Sequence, residues 1–173
     1  MKFIVLSFFL ISNILANKSL ESQHFDIREF SGLWYEIARI ENSYQKNCVA
    51  SSVEYKLLSD DTYDVFNRCF ENNLDGKLIE YNGHAKKIEE NNNSKLKMRY
   101  FYLFTKQYNI IYLNDYKTAV VANDDYSNLW IMSRTANINK DELNKIIEDL
   151  KNKMDTSKLI FTKLDPKGRY KWK

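Results

Sequence analysis

"FSGLWYEIARI", residues 30 to 40, poses the question on which the fold turns, because one of only 4 glycines in 173 residues stands two positions before one of 3 tryptophans. Beyond Gly32 the stretch mixes aromatic and β-branched residues and runs into the polar "ENSYQKN". That composition reads as a β-strand entered through a tight turn, which a residue without a Cβ permits.

Downstream the pattern recurs. "CVASSVEYKLL" (48 to 58) and "TYDVFNRCF" (62 to 70) flank "SDD" and read as a hairpin. "KLIEYNGHAKKIE" (77 to 89) follows the turn-rich "ENNLDG", and its Gly83 predicts a bulge or bend. Past "ENNNS" come "KLKMRYFYLF" (95 to 104), "YNIIYLN" (108 to 114), "TAVVAN" (118 to 123) and "NLWIMSRT" (128 to 135), which with "GLWYEIARI" makes eight candidate strands. Eight consecutive strands on short connections leave exposed edges that closure into a barrel removes, and a barrel of this size has room for one small ligand.

The period then changes. In "NINKDELNKIIEDLKNKMD", Leu143, Ile146, Ile147, Leu150 and Met154 form one apolar stripe at helical spacing, and Asn139 with Glu142 three residues on marks the N-cap. A helix with one apolar face packs outside the strands. "SKLIFTKLD" (157 to 165) reads as a last strand. The expected architecture is all-β: an eight-stranded antiparallel up-and-down barrel over about residues 30–135, a helix over about 140–154 packed outside it, and a short final strand over about 157–164.

Length and composition agree with one domain, residues 17–173. With 12 Tyr and 10 Phe the chain has ample apolar surface to bury, which excludes a disordered segment. The 26 basic and 23 acidic side chains are interspersed, so no single-sign field points to nucleic acid. The exception is the basic end "KGRYKWK", read as a solvated tail, with attraction to a membrane surface as the second reading. "MKFIVLSFFLISNILA", residues 1–16, has the charged, apolar and small-residue order of a secretory signal, with no cysteine just after it for lipid attachment, so an exported mature chain starting near Asn17 is expected. In an oxidising compartment Cys48 and Cys69 have one pairing open to them, the alternative being two buried thiols. "NKS" at Asn17 and "NNS" at Asn92 are glycosylation triplets, which also arise by chance in an Asn-rich chain.

Taken in order, three segments resemble the signatures of the lipocalin family, closest to its bacterial lipocalin and apolipoprotein D branch. Gly32-x-Trp34 within "WYEIAR" is similar to the first, "YLNDYKTAVV" with Asn114-Asp115-Tyr116 stands where the family has Thr-Asp-Tyr, and "LWIMSRT" with Arg134 matches the third. The resemblance spans about residues 25–165. It implies that Trp34 plugs the narrow end of the barrel, that Arg134 lays its guanidinium over the indole, and that Gly32 turns the chain in, all three structural. Relatives in the branch often show a similar "CV" and "NRC" pair, which supports a Cys48–Cys69 bridge; the two positions are not symmetric about "SDD", so pairing needs a bulge.

With Arg134 on the floor, alternation turns Met132 and Trp130 inward. For the other strands, parity taken from retinol-binding relatives turns Val53, Tyr55, Val65, Asn67, Met98, Tyr100, Ile110 and Tyr112 inward, with Tyr81 and Val121 completing the lining. The set suits an elongated or ring-containing hydrophobic molecule with one polar end. The branch implies a fatty acid or lysophospholipid, carried or sequestered, with a tetrapyrrole or sterol next. No inward cation near the mouth stands out to hold a carboxylate.

Catalysis is not expected. His24 and His84 are the only histidines, no cluster has metal-ligand spacing, and no cofactor is implied. A few lipocalins are isomerases with an inward cysteine on the second strand, and Cys69 has that parity, but a bridge to Cys48 leaves no thiol. The alternative of another class is a secreted interaction protein that uses the barrel rim, through loops 41–47, 71–76 and 105–107, with the cavity incidental. Monomer and dimer are both open.

Overall fold

The computed structural model describes residues 20, 21, 23–90, 93–100, 104–165 and 167. The expected signal segment 1–16, Asn17, Asn92 and the basic tail beyond Lys167 lie outside these.

A one-turn helix, α1 (Ile27–Phe30), precedes eight antiparallel strands: β1 (Gly32–Ile40), β2 (Cys48–Leu57), β3 (Thr62–Glu71), β4 (Leu78–Glu90), β5 (Asn93–Tyr100), β6 (Phe104–Asn114), β7 (Thr118–Ala122) and β8 (Leu129–Ser133). Each pairs with the next, and β1 closes the sheet by pairing with both β2 and β8. The barrel has no open edge, as the strand count predicts. Helix α2 (Lys140–Lys151) follows, then a single 3-10 turn and a three-residue strand, β9 (Leu159–Phe161), on the upper part of β1. Helix and last strand are thus both shorter than the sequence pattern predicts.

Two main cores result from strand alternation, beside a small cluster around Ala50 and Phe70. Inside the barrel lie Phe25, Phe30, Trp34, Val53, Tyr55, Val65, Met98, Ile110, Val121 and Met132 among others. Outside, Ile37, Ile111, Val120, Leu129 and Ile131 meet the α2 stripe, with Ile146 and Leu150 fully buried and Leu143, Ile147 and Met154 packed at its margin. Asn139 caps α2 by accepting from the N–H groups of Asp141 and Glu142. The Glu142 carboxylate accepts from Tyr112, Asn114 and Thr118 on the barrel wall, tying the helix down.

Bulges interrupt the alternation. One lies in β1 between Glu36 and Ala38, one in β2 between Val49 and Ser52, and one in β6 between Ile110 and Tyr112. The β2 bulge, with Ala50 at φ 52°, supplies the offset that the cysteine positions require, and Cys48 and Cys69 form a disulfide with Cα atoms 5.4 Å apart. Gly83 is not a bulge. Register runs unbroken through it on both sides, and the residue is small because the Tyr100 ring lies over it: a Cβ there would meet that ring at 2.6 Å. Strand β6 also begins earlier than expected, so residues 105–107 belong to a strand paired with β5, not to a loop.

Candidate functional site

One end of the barrel is plugged. Trp34 is fully buried, donates its indole N–H to the Phe30 carbonyl at 2.9 Å, and stacks in a chain of rings with Phe30, Phe25 and Tyr55 at centroid distances of 4.9 to 5.3 Å. The Arg134 guanidinium lies 3.9 Å from the Trp34 ring centroid and donates to the carbonyls of Tyr116, Leu33 and Glu29 at 3.0, 3.0 and 2.8 Å. Burial pulls its pKa below the ordinary arginine value, against the opposing effect of Tyr63 and Tyr55. Gly32 turns the chain beneath this group at φ 95°, where a Cβ would approach the Arg134 Nη1 to 3.2 Å.

Above the plug is a cavity of about 340 Å³. Nine of the twelve residues expected to face inward line it: Val53, Tyr55, Asn67, Tyr81, Met98, Tyr100, Val121, Trp130 and Met132. Val65 and Ile110 point into the barrel but are fully buried in the packed region away from the cavity. Tyr112 lies on the outer wall, because the bulge at Ile110/Tyr112 turns two successive residues, Ile111 and Tyr112, toward α2 and returns the inward role to Leu113. The lining includes Leu96 and Tyr108, which the alternation through Met98 and Ile110 selects one step further along each strand.

The mouth holds the groups that sequence reasoning missed. The β1 bulge turns Ile37 and Ala38 outward together and so places Glu36 and Arg39 on one side, where both are buried and paired at 2.7 Å. Gln45, from the loop between β1 and β2, donates to the other Glu36 oxygen at 2.7 Å and accepts from the Trp130 indole N–H at 2.9 Å. Arg39 donates to the carbonyls of Gln45 and Cys48, and Thr162 donates to Glu36 at 2.7 Å. The loop is therefore latched over one side of the opening. Exposed Phe104 and Lys106 also stand at the mouth, the ammonium 5.6 Å from the ring centroid of Tyr44 in that loop. Lys106 is the cation at the mouth that the sequence reading did not find, and its signal was the alternation Lys106, Tyr108, Ile110 extended backward through residues taken for a loop.

Beyond the loop residues and Glu36, Ser52, Lys106 and Arg68, the last paired with Glu54 and Glu80, the polar groups of the cavity wall are its phenols and the Asn67 amide. Asn67 donates to the Tyr100 hydroxyl at 3.0 Å. Burial pushes the pKa of Tyr55, Tyr100 and Tyr108 up, Tyr100 to about 12 despite the Asn67 bond. These hydroxyls stay neutral at physiological pH. The disulfide sulfurs belong to a bridge, so Cys69 offers no free thiol, and among the described residues no three His, Cys, Asp or Glu side chains group to hold a metal.

A closed antiparallel barrel, plugged at one end by tryptophan and arginine and hollow toward the other, defines a container for a small apolar molecule. Residues 25–164 match the model of the Lipocalin-like domain. The chain is 32% identical over 159 residues to a viral lipocalin of Acanthamoeba polyphaga mimivirus, covering 85% of this chain and 90% of that one. It is 29% identical over 140 residues to the outer membrane lipoprotein Blc of Vibrio cholerae, covering 79% and 81%. Among solved structures, lobster apocrustacyanin A1 shares the fold with a TM-score of 0.66 at 20% identity, covering 84% of this chain and 83% of that one. The chain belongs to the lipocalin family, whose members bind small hydrophobic ligands and are generally binding and transport proteins.

Proposed function

We propose that this protein binds one elongated hydrophobic molecule with a polar end, a fatty acid or lysophospholipid ahead of a tetrapyrrole or sterol, and carries or sequesters it outside the cytoplasm. The observation that carries this reading is the cavity itself: about 340 Å³, lined by Val, Met, Leu, Tyr and Trp side chains, floored by Trp34 and flanked at its mouth by Lys106. That volume stands at the low end of the roughly 300–1,000 Å³ typical of ligand pockets, which suits a single acyl chain better than a tetrapyrrole. Export is supported by the signal-like order of residues 1–16 and by a disulfide of the kind oxidising compartments maintain.

Trp130 lines the cavity and reports on its contents. Titration with palmitate or a lysophospholipid is expected to quench tryptophan fluorescence saturably, and Trp130→Phe to abolish the change. Absence of quenching by every lipid tried, together with no lipid extractable from the purified protein, would overturn the reading. A second reading, rim docking to a membrane surface, is favoured by Phe104, Tyr44 and Tyr81, which are 64%, 53% and 38% exposed around the mouth. Co-sedimentation with anionic vesicles that is lost in Phe104→Ser separates docking from ligand capture in solution.

A further inference from the structure

The cavity carries more hydrogen-bonding capacity than an acyl chain uses. Tyr55 is 5% exposed and lines the cavity, yet its hydroxyl makes no hydrogen bond among the described residues; the same holds for Tyr108, at 7%. Other buried phenols are served: Tyr63 donates to the Ile27 carbonyl and Tyr112 to Glu142. Tyr100 accepts from Asn67 and so keeps its own proton to donate. Tyr55, Tyr100 and Tyr108 all line the same cavity, and Asn67 lines it beside Tyr100. Phenol hydroxyls that open onto a cavity and have no partner in the protein are placed to take one from a ligand.

We propose that the Tyr55, Tyr100 and Tyr108 hydroxyls, with Asn67, form a subsite for a neutral ligand oxygen, a hydroxyl or ketone part-way along an acyl chain whose carboxylate sits at Lys106. The inference rests on the reading that the cavity holds an acyl chain, and it names the class: mono-oxygenated long-chain acids. Burial keeps all three phenols protonated, hence donors, and disfavours phenolate. A carboxylate does not belong at this depth, because burying an ion without a cation is far costlier than burying a hydroxyl. The guanidiniums here are committed: Arg68, in the cavity wall, to the carboxylates of Glu54 and Glu80 at 2.9 and 2.7 Å, and Arg134, at the floor, to three backbone carbonyls and the Trp34 face. The charged end is therefore left to the exposed Lys106.

The test compares stearate with a series of stearates bearing one hydroxyl or keto group at successive mid-chain positions, read by Trp130 fluorescence. One position is expected to bind about tenfold tighter than stearate, the gain from pairing an otherwise unserved donor. In Tyr55→Phe and in Tyr108→Phe the ratio of the two affinities falls toward one, a readout that general loosening of the cavity does not mimic. Near-ultraviolet circular dichroism shows that each variant is folded, and either one alone decides the point. Equal binding of stearate and all its derivatives by the wild type, or a preference undiminished in both variants, overturns the subsite. Failure of stearate and every derivative to bind overturns the acyl-chain reading beneath it.

Discussion

The two ends of the barrel use their aromatic residues and cations in opposite ways. At the floor, Trp34 is fully buried, and Arg134 donates from all three nitrogens to backbone carbonyls while covering the indole at 3.9 Å. At the mouth, Tyr44 and Phe104 are more than half exposed, Lys106 faces solvent, and Trp130 is held by a side chain from a loop, not by the sheet backbone. The first arrangement leaves neither the indole N–H nor the guanidinium free for a ligand. The second leaves both apolar area and charge on offer. The open end is held instead by the Cys48–Cys69 disulfide and the buried Glu36–Arg39 pair, which leave its outer rim of Tyr44, Phe104 and Lys106 uncommitted.

The sharpest way to break that contrast is Arg134→Ala. It removes a cation–π contact and three charge-assisted hydrogen bonds, leaving three carbonyls to find other partners, and should lower unfolding free energy by about 3 kcal/mol in a urea titration. The rank order of ligands should not change. A changed order with an unmoved urea midpoint would mean that the floor takes part in recognition.

A smaller effect is expected at the latch. Gln45→Ala frees one Glu36 oxygen and the Trp130 indole N–H and lets the loop between β1 and β2 open, at a cost of about 1 kcal/mol because these groups regain water. Its signature is kinetic. Stopped-flow displacement should show ligand leaving several-fold faster, with little change in the rate of entry. Unchanged dissociation would show that the loop only frames the opening and does not hold the ligand in.

The same contrast governs what could be read from the residues alone. Trp34, Gly32, Arg134 and the α2 stripe were legible because regular periodicity and distinctive residue types coincide where packing is tightest. The architecture followed from the strand count and the single change of period. At the mouth and on the outer wall the reading failed wherever a bulge intervened: one extra residue in β6 carried Tyr112 out of the barrel, and one in β1 brought Arg39 beside Glu36. A bulge without glycine leaves no mark in composition. Lys106 was hidden for another reason. "MRYFYLFTKQY" is apolar and aromatic with no Gly, Pro or Asn, so nothing in it shows that β5 stops at Tyr100 and β6 starts at Phe104. Gln45 lay in a loop, where side-chain direction has no period to follow.

Lys106→Gln carries the smallest expected effect and discriminates most finely. The side chain is exposed and makes no ion pair with a described carboxylate, so thermal stability should be unmoved. Its charge, screened by water, is worth only a few-fold in affinity for an acyl carboxylate, about threefold at low salt and less at high salt. The matched methyl ester carries no charge and should bind wild type and variant alike. If acid and ester weaken together, Lys106 acts through its contact with the Tyr44 ring, and the mouth recognises shape. If only the acid weakens and added salt erases the difference, the ammonium is the carboxylate's partner, and the open end provides the charge that the sealed floor withholds.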